Sequence, residues 1–284
     1  MHSVLEILRK TTDFLASKGV DNPRYNSEVI IGHALTLKRM QLYMQFERLL
    51  TESELEKIRP LVRRRSLREP LAYVVGETEF YDLKLKTDKR ALIPRPETEE
   101  LVEHILGSIS DKSAPLCILD LGTGSACIAL ALAAKLPNAS VTAVDASDAA
   151  LSLASENAAT TGLAARLTFL KSDWFAQVPP APLFDIIVSN PPYLTAQESA
   201  EALPEVRQHE PQQALVASDE GFADLRKIIA GAPSHLQPGG LLAMETGIAQ
   251  HQALLPLMKS AGFAEPRSLR DLSGRDRFVS ARLA

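Results

Sequence analysis

The chain has 284 residues, 45% hydrophobic and 23% charged, which fits an ordinary globular protein of one large domain or a core domain with a small companion. With 31 basic and 35 acidic side chains the net charge is −4, which excludes the global basic field of a nonspecific nucleic-acid binder. No segment approaches the roughly 20 apolar residues of a membrane span. Glu6, Arg9 and Lys10 interrupt any signal-like run at the start, so a cytoplasmic location is expected.

The first part reads as helical. Val4, Leu5, Leu8 and Leu15 fall at helical spacing, and Ser27 to Leu37 carries a second apolar stripe. Thr51 and Glu54 form a capping-box signature before Leu55, Ile58 and Val62, with Pro60 predicting a kink or restart. A small bundle ending near Glu69-Pro70 is the economical reading. The cluster Arg63, Arg64, Arg65 and Arg68 is expected to be a solvated helix face rather than a binding patch.

From Tyr73 to Ile93 short alternating runs predict a β-hairpin or extended connector. Pro96 and the acids after it then open a helix through Leu101, Val102, Ile105 and Leu106. From Leu116 onward strand and helix patterns alternate. Strands are expected at Leu116–Leu121, Val141–Val144, Leu167–Leu170, Phe184–Val188 and Gly240–Met244. Helices are expected at Ile128–Lys135, Ala149–Thr160, Phe222–His235 and Gln250–Ala261. Such alternation implies an α/β fold with a parallel sheet and helices on both faces. The tail from Arg267 to Leu283 reads as an antiparallel hairpin, which would set the fold apart from a plain dinucleotide binder. Cys117 and Cys127 read as small buried hydrophobes in a reducing compartment. The six histidines share no ligand spacing, so no metal is expected.

Asp120-Leu121-Gly122-Thr123-Gly124-Ser125-Ala126 joins the first strand of this series to its helix, where glycines permit a tight turn and close approach of a cofactor. The next strand ends in Asp145, placed to hold ribose hydroxyls. Ala126 occupies the third glycine position, and the Asp120 carboxylate disfavours pyrophosphate while suiting a sulfonium or ammonium. S-adenosylmethionine therefore fits better than a nicotinamide dinucleotide. Asp173 and Trp174 follow the third strand. They could hold adenine by hydrogen bonding and stacking, or the indole could fill a hydrophobic gap.

Asn190-Pro191-Pro192-Tyr193 follows the fourth strand, where proline ends the ladder and stiffens the loop. The array offers carbonyl acceptors for an NH2 group and a flat ring, with no evident base or nucleophile. Transfer of a group onto a planar nitrogen suits it better than hydrolysis.

Several segments together resemble the HemK/PrmC family, the peptide chain release factor N(5)-glutamine methyltransferases. They are Gly76 to Tyr81, Ile93-Pro94-Arg95-Pro96-Glu97-Thr98-Glu99, Asp120 to Ser125, Ser172-Asp173-Trp174, Asn190 to Tyr193, Glu210-Pro211 and Leu242 to Gly247. The resemblance spans essentially the whole chain. The Asn-Pro-Pro-Tyr motif alone also occurs in DNA adenine and some rRNA methyltransferases. The resemblance implies a class I, Rossmann-like methyltransferase domain over 95–284, a β-hairpin connector over 73–94 and a helical substrate-recognition domain over 1–72.

It further implies methyl transfer from S-adenosylmethionine, leaving S-adenosylhomocysteine, to the glutamine of the Gly-Gly-Gln motif of class I release factors. Neither membrane nor direct nucleic-acid binding is implied. Asp120, Gly122, Thr123, Gly124, Ser125, Ala126, Asp145, Asp173, Trp174 and Asn190 would hold the cofactor. Asn190, Pro191 and Tyr193 would act in catalysis, and Asn190, Pro191, Pro192, Tyr193 and Arg95 would meet the substrate. Arg95 is expected to order the motif loop or contact the release factor. The family usually has glycine at Ala126, and the added methyl is expected to narrow the loop's approach to the cofactor. The rival readings are glutamine methylation of ribosomal protein uL3, exocyclic-amine methylation of DNA or rRNA, and a non-catalytic adaptor.

Overall fold

The computed structural model describes residues 2–284. The chain begins with α1 (Val4–Ser17), α2 (Pro23–Leu35), α3 (Arg39–Met44), α4 (Glu52–Ser66) and the short α5 (Leu71–Val75). Capping boxes start two of them: Ser3 and Thr51 accept from the backbone N–H groups of Glu6 and Glu54, whose side chains reach back in return. α4 runs through Pro60 without the expected restart. Pro60 and Glu56, whose carbonyl loses its donor, both face solvent, where water can take the place of the lost bond. Val4, Leu8, Ile31, Leu42, Leu50 and Ile58 close the bundle core.

β1 (Glu77–Phe80) and β2 (Leu83–Lys86) pair as a hairpin turned by Tyr81 and Asp82, both in the left-handed region that such turns require. α6 (Pro96–Gly107) opens on Pro96 with Glu97 and Glu99 in its first turn. The alternating part follows: β3 (Cys117–Leu121), α7 (Cys127–Lys135), β4 (Ser140–Asp145), α8 (Asp148–Thr160), β5 (Leu167–Lys171) and β6 (Phe184–Ser189). Next come α9 (Ala196–Glu201), α10 (Pro204–His209), α11 (Ala223–Gly231), β7 (Leu236–Glu245), α12 (His251–Ser260), β8 (Phe263–Arg270) and β9 (Asp276–Leu283).

The seven-stranded sheet runs β5-β4-β3-β6-β7-β9-β8, parallel as far as β7 and antiparallel over the last two pairings. This is the expected α/β fold with its terminal hairpin. Buried strands need no polar alternation because both faces are covered. Ile118 packs with Leu101, Ile105 and Leu130 on one face, and its neighbour Leu119 packs with Ile187, Leu225 and Met258 on the other. Cys117 and Cys127 are half-buried against these clusters rather than fully enclosed.

Two compact units result. One comprises the residues up to Glu77 together with Leu203–His209; the other comprises Thr78–Ala202 and Glu210–Ala284. The return of α10 to the first unit had no periodic signal in the sequence, and it changes the reading of the arginine cluster. Arg65 is buried, donating to Asn26 at 2.7 Å and to Glu205 at 2.9 Å, and Arg68 grips both Glu205 oxygens at 2.7 Å. Arg64 pairs with Glu69. Only Arg63 of the four is exposed as a solvated face would be; the others are internal fasteners of the unit. Burial alone would raise the Glu205 carboxyl, but Arg68 and Arg65 hold it below its ordinary value. Among the described residues no helix is long and apolar enough to cross a membrane.

Candidate active site

The sheet changes direction between β3 and β6. From β3 the chain moves outward to β4 and β5, and from β6 it moves the other way to β7. The crevice beyond the carboxyl ends of such a strand pair is where open α/β sheets receive ligands. Ser189 Oγ donates to the Leu121 carbonyl at 2.7 Å, fastening the two strand ends from which the glycine loop and the motif loop depart.

In the glycine loop, Gly122 and Gly124 adopt φ of 69° and 55°, and Ala126 adopts 63°. Glycine takes such values without strain, whereas an alanine in the left-handed region is disfavoured by roughly 1–2 kcal/mol. The Ala126 methyl does not reach the cavity described below. It is fully buried in the core beneath the loop.

Asp120 lies under this loop, 1% exposed. Its Oδ2 accepts from Thr123 Oγ1 at 2.6 Å and from the Ala129 N–H at 3.2 Å, while Oδ1 has no partner. Burial pushes the carboxyl up to about 7; the two hydrogen bonds oppose that, and the nearby Asp145 charge adds to it. Asp145 ends β4 with both oxygens engaged, accepting from the N–H groups of Gly124 and Ser147, each at 2.9 Å. Burial raises this carboxyl too, against the backbone N–H groups of Ser147, Gly124 and Ala146. Each oxygen retains a lone pair for a further donor.

A cavity of about 370 Å³ opens over the loop. That falls within the range of small-molecule sites. Gly122, Thr123, Gly124, Ser125, Asp145, Asp173, Trp174, Asn190, Pro192 and Arg95 line it, and Asp224 adds a further acid; Asp120, Ala126, Pro191 and Tyr193 do not line it. The Trp174 indole packs at the margin of the core and forms cavity wall, with Nε1 donating to Asp224 at 3.0 Å. Cys127 also borders the cavity, but burial pushes its thiol up to about 12, so it offers no thiolate at neutral pH.

One edge is a strap from Lys86 to Arg95. The buried Asn157 joins it to the glycine loop, bonding Lys86 on both backbone groups and donating to the Ser125 carbonyl at 3.0 Å. Among the described residues Arg95 donates no hydrogen bond to the motif loop, although its charge acts on the Tyr193 hydroxyl. Its Nη2 donates to the buried Glu210 at 2.5 Å, and Glu210 also accepts the Ile93 N–H.

The motif loop is fixed from behind. Asn190 Nδ2 donates to Thr98 Oγ1 at 3.1 Å, and Thr98 Oγ1 donates to Glu245 Oε2 at 2.7 Å. The Tyr193 hydroxyl donates to Glu245 Oε1 at 3.0 Å. Tyr193 thus faces a buried carboxylate instead of offering its ring to the cavity. Burial raises the Glu245 carboxyl, and the Thr98 and Tyr193 hydroxyls and the Arg277 charge oppose that. Gln250 Nε2 donates to the carbonyls of Tyr193 and Gly221. No local pattern in the sequence assigns a role to Thr98, Glu210 or Glu245, although each lies in one of the segments that resemble the family. Asp224 and Gln250 had no signal at all.

The fold and the cavity together define a Rossmann-like methyltransferase. Residues 98–261 match the family described as methyltransferase small domain. The solved structure of a 16S rRNA N2 G1207 methyltransferase from T. thermophilus, in complex with AdoMet and guanosine, shares the fold with a TM-score of 0.54. It is 18% identical, over 73% of this chain and 50% of that one. Residues 6–76 match the PrmC N-terminal domain. The release factor glutamine methyltransferase of Chlorobaculum tepidum is 42% identical over 98% of this chain and 96% of its own. That of Cereibacter sphaeroides is 41% identical over 98% of each. The chain belongs to the release factor glutamine methyltransferase family.

Proposed function

We propose that the protein transfers the methyl group of S-adenosylmethionine to the side-chain amide nitrogen of the glutamine in the Gly-Gly-Gln motif of class I peptide chain release factors. The observation that carries this reading is that Asn190 and Pro192 share one cavity with the glycine loop and Asp145, in a chain similar over nearly its whole length to enzymes of that name.

The residues fit the cofactor. Asp145, Asp173 and Asp224 on the wall and the unpartnered Asp120 oxygen beneath it give a field that favours a cation and disfavours pyrophosphate. Asp145 would hold the ribose hydroxyls, and Trp174 with Asp173 the adenine. When bound, S-adenosylmethionine supplies an electrophilic methyl group on a sulfonium.

An amide nitrogen is a poor nucleophile because its lone pair is delocalised into the carbonyl. Asn190 Oδ1, which borders the cavity, would accept one of its N–H bonds, orienting the nitrogen and favouring positive charge there in the transition state. Transfer to nitrogen would leave the electron pair of the methyl–sulfur bond on sulfur, and the surplus proton would leave nitrogen for water. A strong base is therefore unnecessary.

The test is to incubate the protein with labelled S-adenosylmethionine and, separately, a release factor, ribosomal protein uL3 and DNA, then locate the label by mass spectrometry. Label at the release-factor glutamine is expected; label on DNA alone or on uL3 alone would sink the assignment. Asn190→Ala should bind S-adenosylmethionine within about threefold of wild type yet transfer about a hundredfold more slowly.

A further inference from the structure

Asn190 can serve as an acceptor only if its amide is turned the right way. The two orientations of an asparagine side chain have nearly the same shape and opposite hydrogen-bonding sense. We propose that Glu245, acting through Thr98, fixes that orientation, so that both are positioning residues for the transfer. This rests on the function proposed above.

Glu245 closes β7 beside the end of β6, 2% exposed, and both its oxygens accept from hydroxyls. Thr98, also 2% exposed, sits in the first turn of α6 between Glu245 and Asn190. Against its burial, the two donating hydroxyls and the nearby Arg277 charge favour the ionised form of Glu245; that carboxylate can only accept, so the single Thr98 hydroxyl proton points to it at 2.7 Å. The Thr98 oxygen is then left to accept, and only the NH2 end of Asn190 can satisfy it, at 3.1 Å. Oδ1 is thereby turned away from Thr98. The same carboxylate takes the Tyr193 proton at 3.0 Å, so one buried group holds both ends of the motif.

An amide in place of Glu245 would break this logic while keeping the shape. Its NH2 group could donate to Thr98, free the hydroxyl proton and let Thr98 donate to Asn190 Oδ1, flipping the side chain. Valine at Thr98 would remove both the donor and the acceptor.

Thr98→Val, Glu245→Gln and Thr98→Ser should be compared with wild type for S-adenosylmethionine affinity and for kcat and KM on a release factor. The first two should lower kcat about ten- to a hundredfold, with KM and cofactor affinity within about twofold; Thr98→Ser should recover most of the rate. Wild-type kcat in Thr98→Val, or a Thr98→Ser enzyme as slow as Thr98→Val, would overturn the proposal.

A second readout needs no turnover. In ¹⁵N-labelled protein, with Asn190→Asp to assign the signal, one Asn190 side-chain amide proton should exchange slowly in wild type and rapidly in Thr98→Val. Equal exchange in the two would also overturn the relay. If wild type left the release factor unlabelled, the function reading would fall while the exchange measurement still decided the relay.

Discussion

The two walls of the cavity reach rigidity by opposite routes. Between Asp120 and Ala129 the glycine-loop wall holds itself by short-range bonds, with Asp145 tying the Gly124 N–H from the neighbouring strand. The motif wall borrows its support from far along the chain: Thr98 is 92 residues from Asn190, Glu245 is 52 from Tyr193, and Gln250 is 57 from Tyr193. The first wall is set by backbone conformation and buried charge, the second by side-chain hydrogen bonds and close packing. Substitutions should therefore separate cofactor binding from transfer, according to the wall they touch.

The largest separation is expected at Gly221. It stands at φ of 86°, and a Cβ there would lie 2.3 Å from the Tyr193 carbonyl oxygen and 2.8 Å from Gln250 Nε2. Backbone cannot yield as a flexible side chain can, so Gly221→Ala must shift the motif loop. Misplacing reacting groups by about 1 Å costs about a hundredfold in rate. Transfer should fall at least that far while S-adenosylmethionine affinity, measured by calorimetry, stays within about threefold. An equal loss of both would show that the walls are not independent.

The same contrast explains how far the sequence could be read. Buried apolar runs and capping residues announce β3 to β7 and their helices, because those signals are local and periodic. The glycine loop was legible for the same reason: Gly122, Gly124 and Asp145 lie on consecutive elements of one strand–turn–helix–strand path. The backing of Asn190 was not, since a threonine in the first turn of α6 and a glutamate ending β7 acquire a shared role only once the sheet brings them together. Arg65 and Arg68 failed as a solvated face for a similar reason. Their partner Glu205 is 140 and 137 residues away in sequence.

On the cofactor wall the expected signature is electrostatic. The Asp120 carboxyl is raised from 3.8 to about 7, chiefly by burial. Between these values the native state holds a proton that the unfolded chain has released. The stabilisation is therefore complete below about pH 4 and lost as pH rises through about 7, amounting to roughly 4 kcal/mol. Asp120→Asn, which keeps an acceptor for Thr123 and Ala129, should flatten that decline in urea denaturation. A bound cation favours the ionised form, so S-adenosylmethionine affinity should rise with pH up to about 7 in wild type, by up to about tenfold per pH unit. The variant should show no such rise. Parallel pH profiles in wild type and variant would remove Asp120 from the electrostatics of the site.

The smallest effect is expected at Ala126, and it tests whether the loop wall is set by backbone or by side chain. Ala126→Gly relieves roughly 1–2 kcal/mol of left-handed strain. It also gives up a buried methyl worth about 0.8 kcal/mol and adds unfolded-chain freedom worth roughly 0.4–1 kcal/mol. These nearly cancel, so stability should change by less than about 1 kcal/mol. Because the methyl points into the core and not the cavity, S-adenosylmethionine affinity should stay within about twofold. A large gain in affinity would mean that the methyl does constrain the loop where the cofactor approaches, and that this wall depends on side chains as the motif wall does.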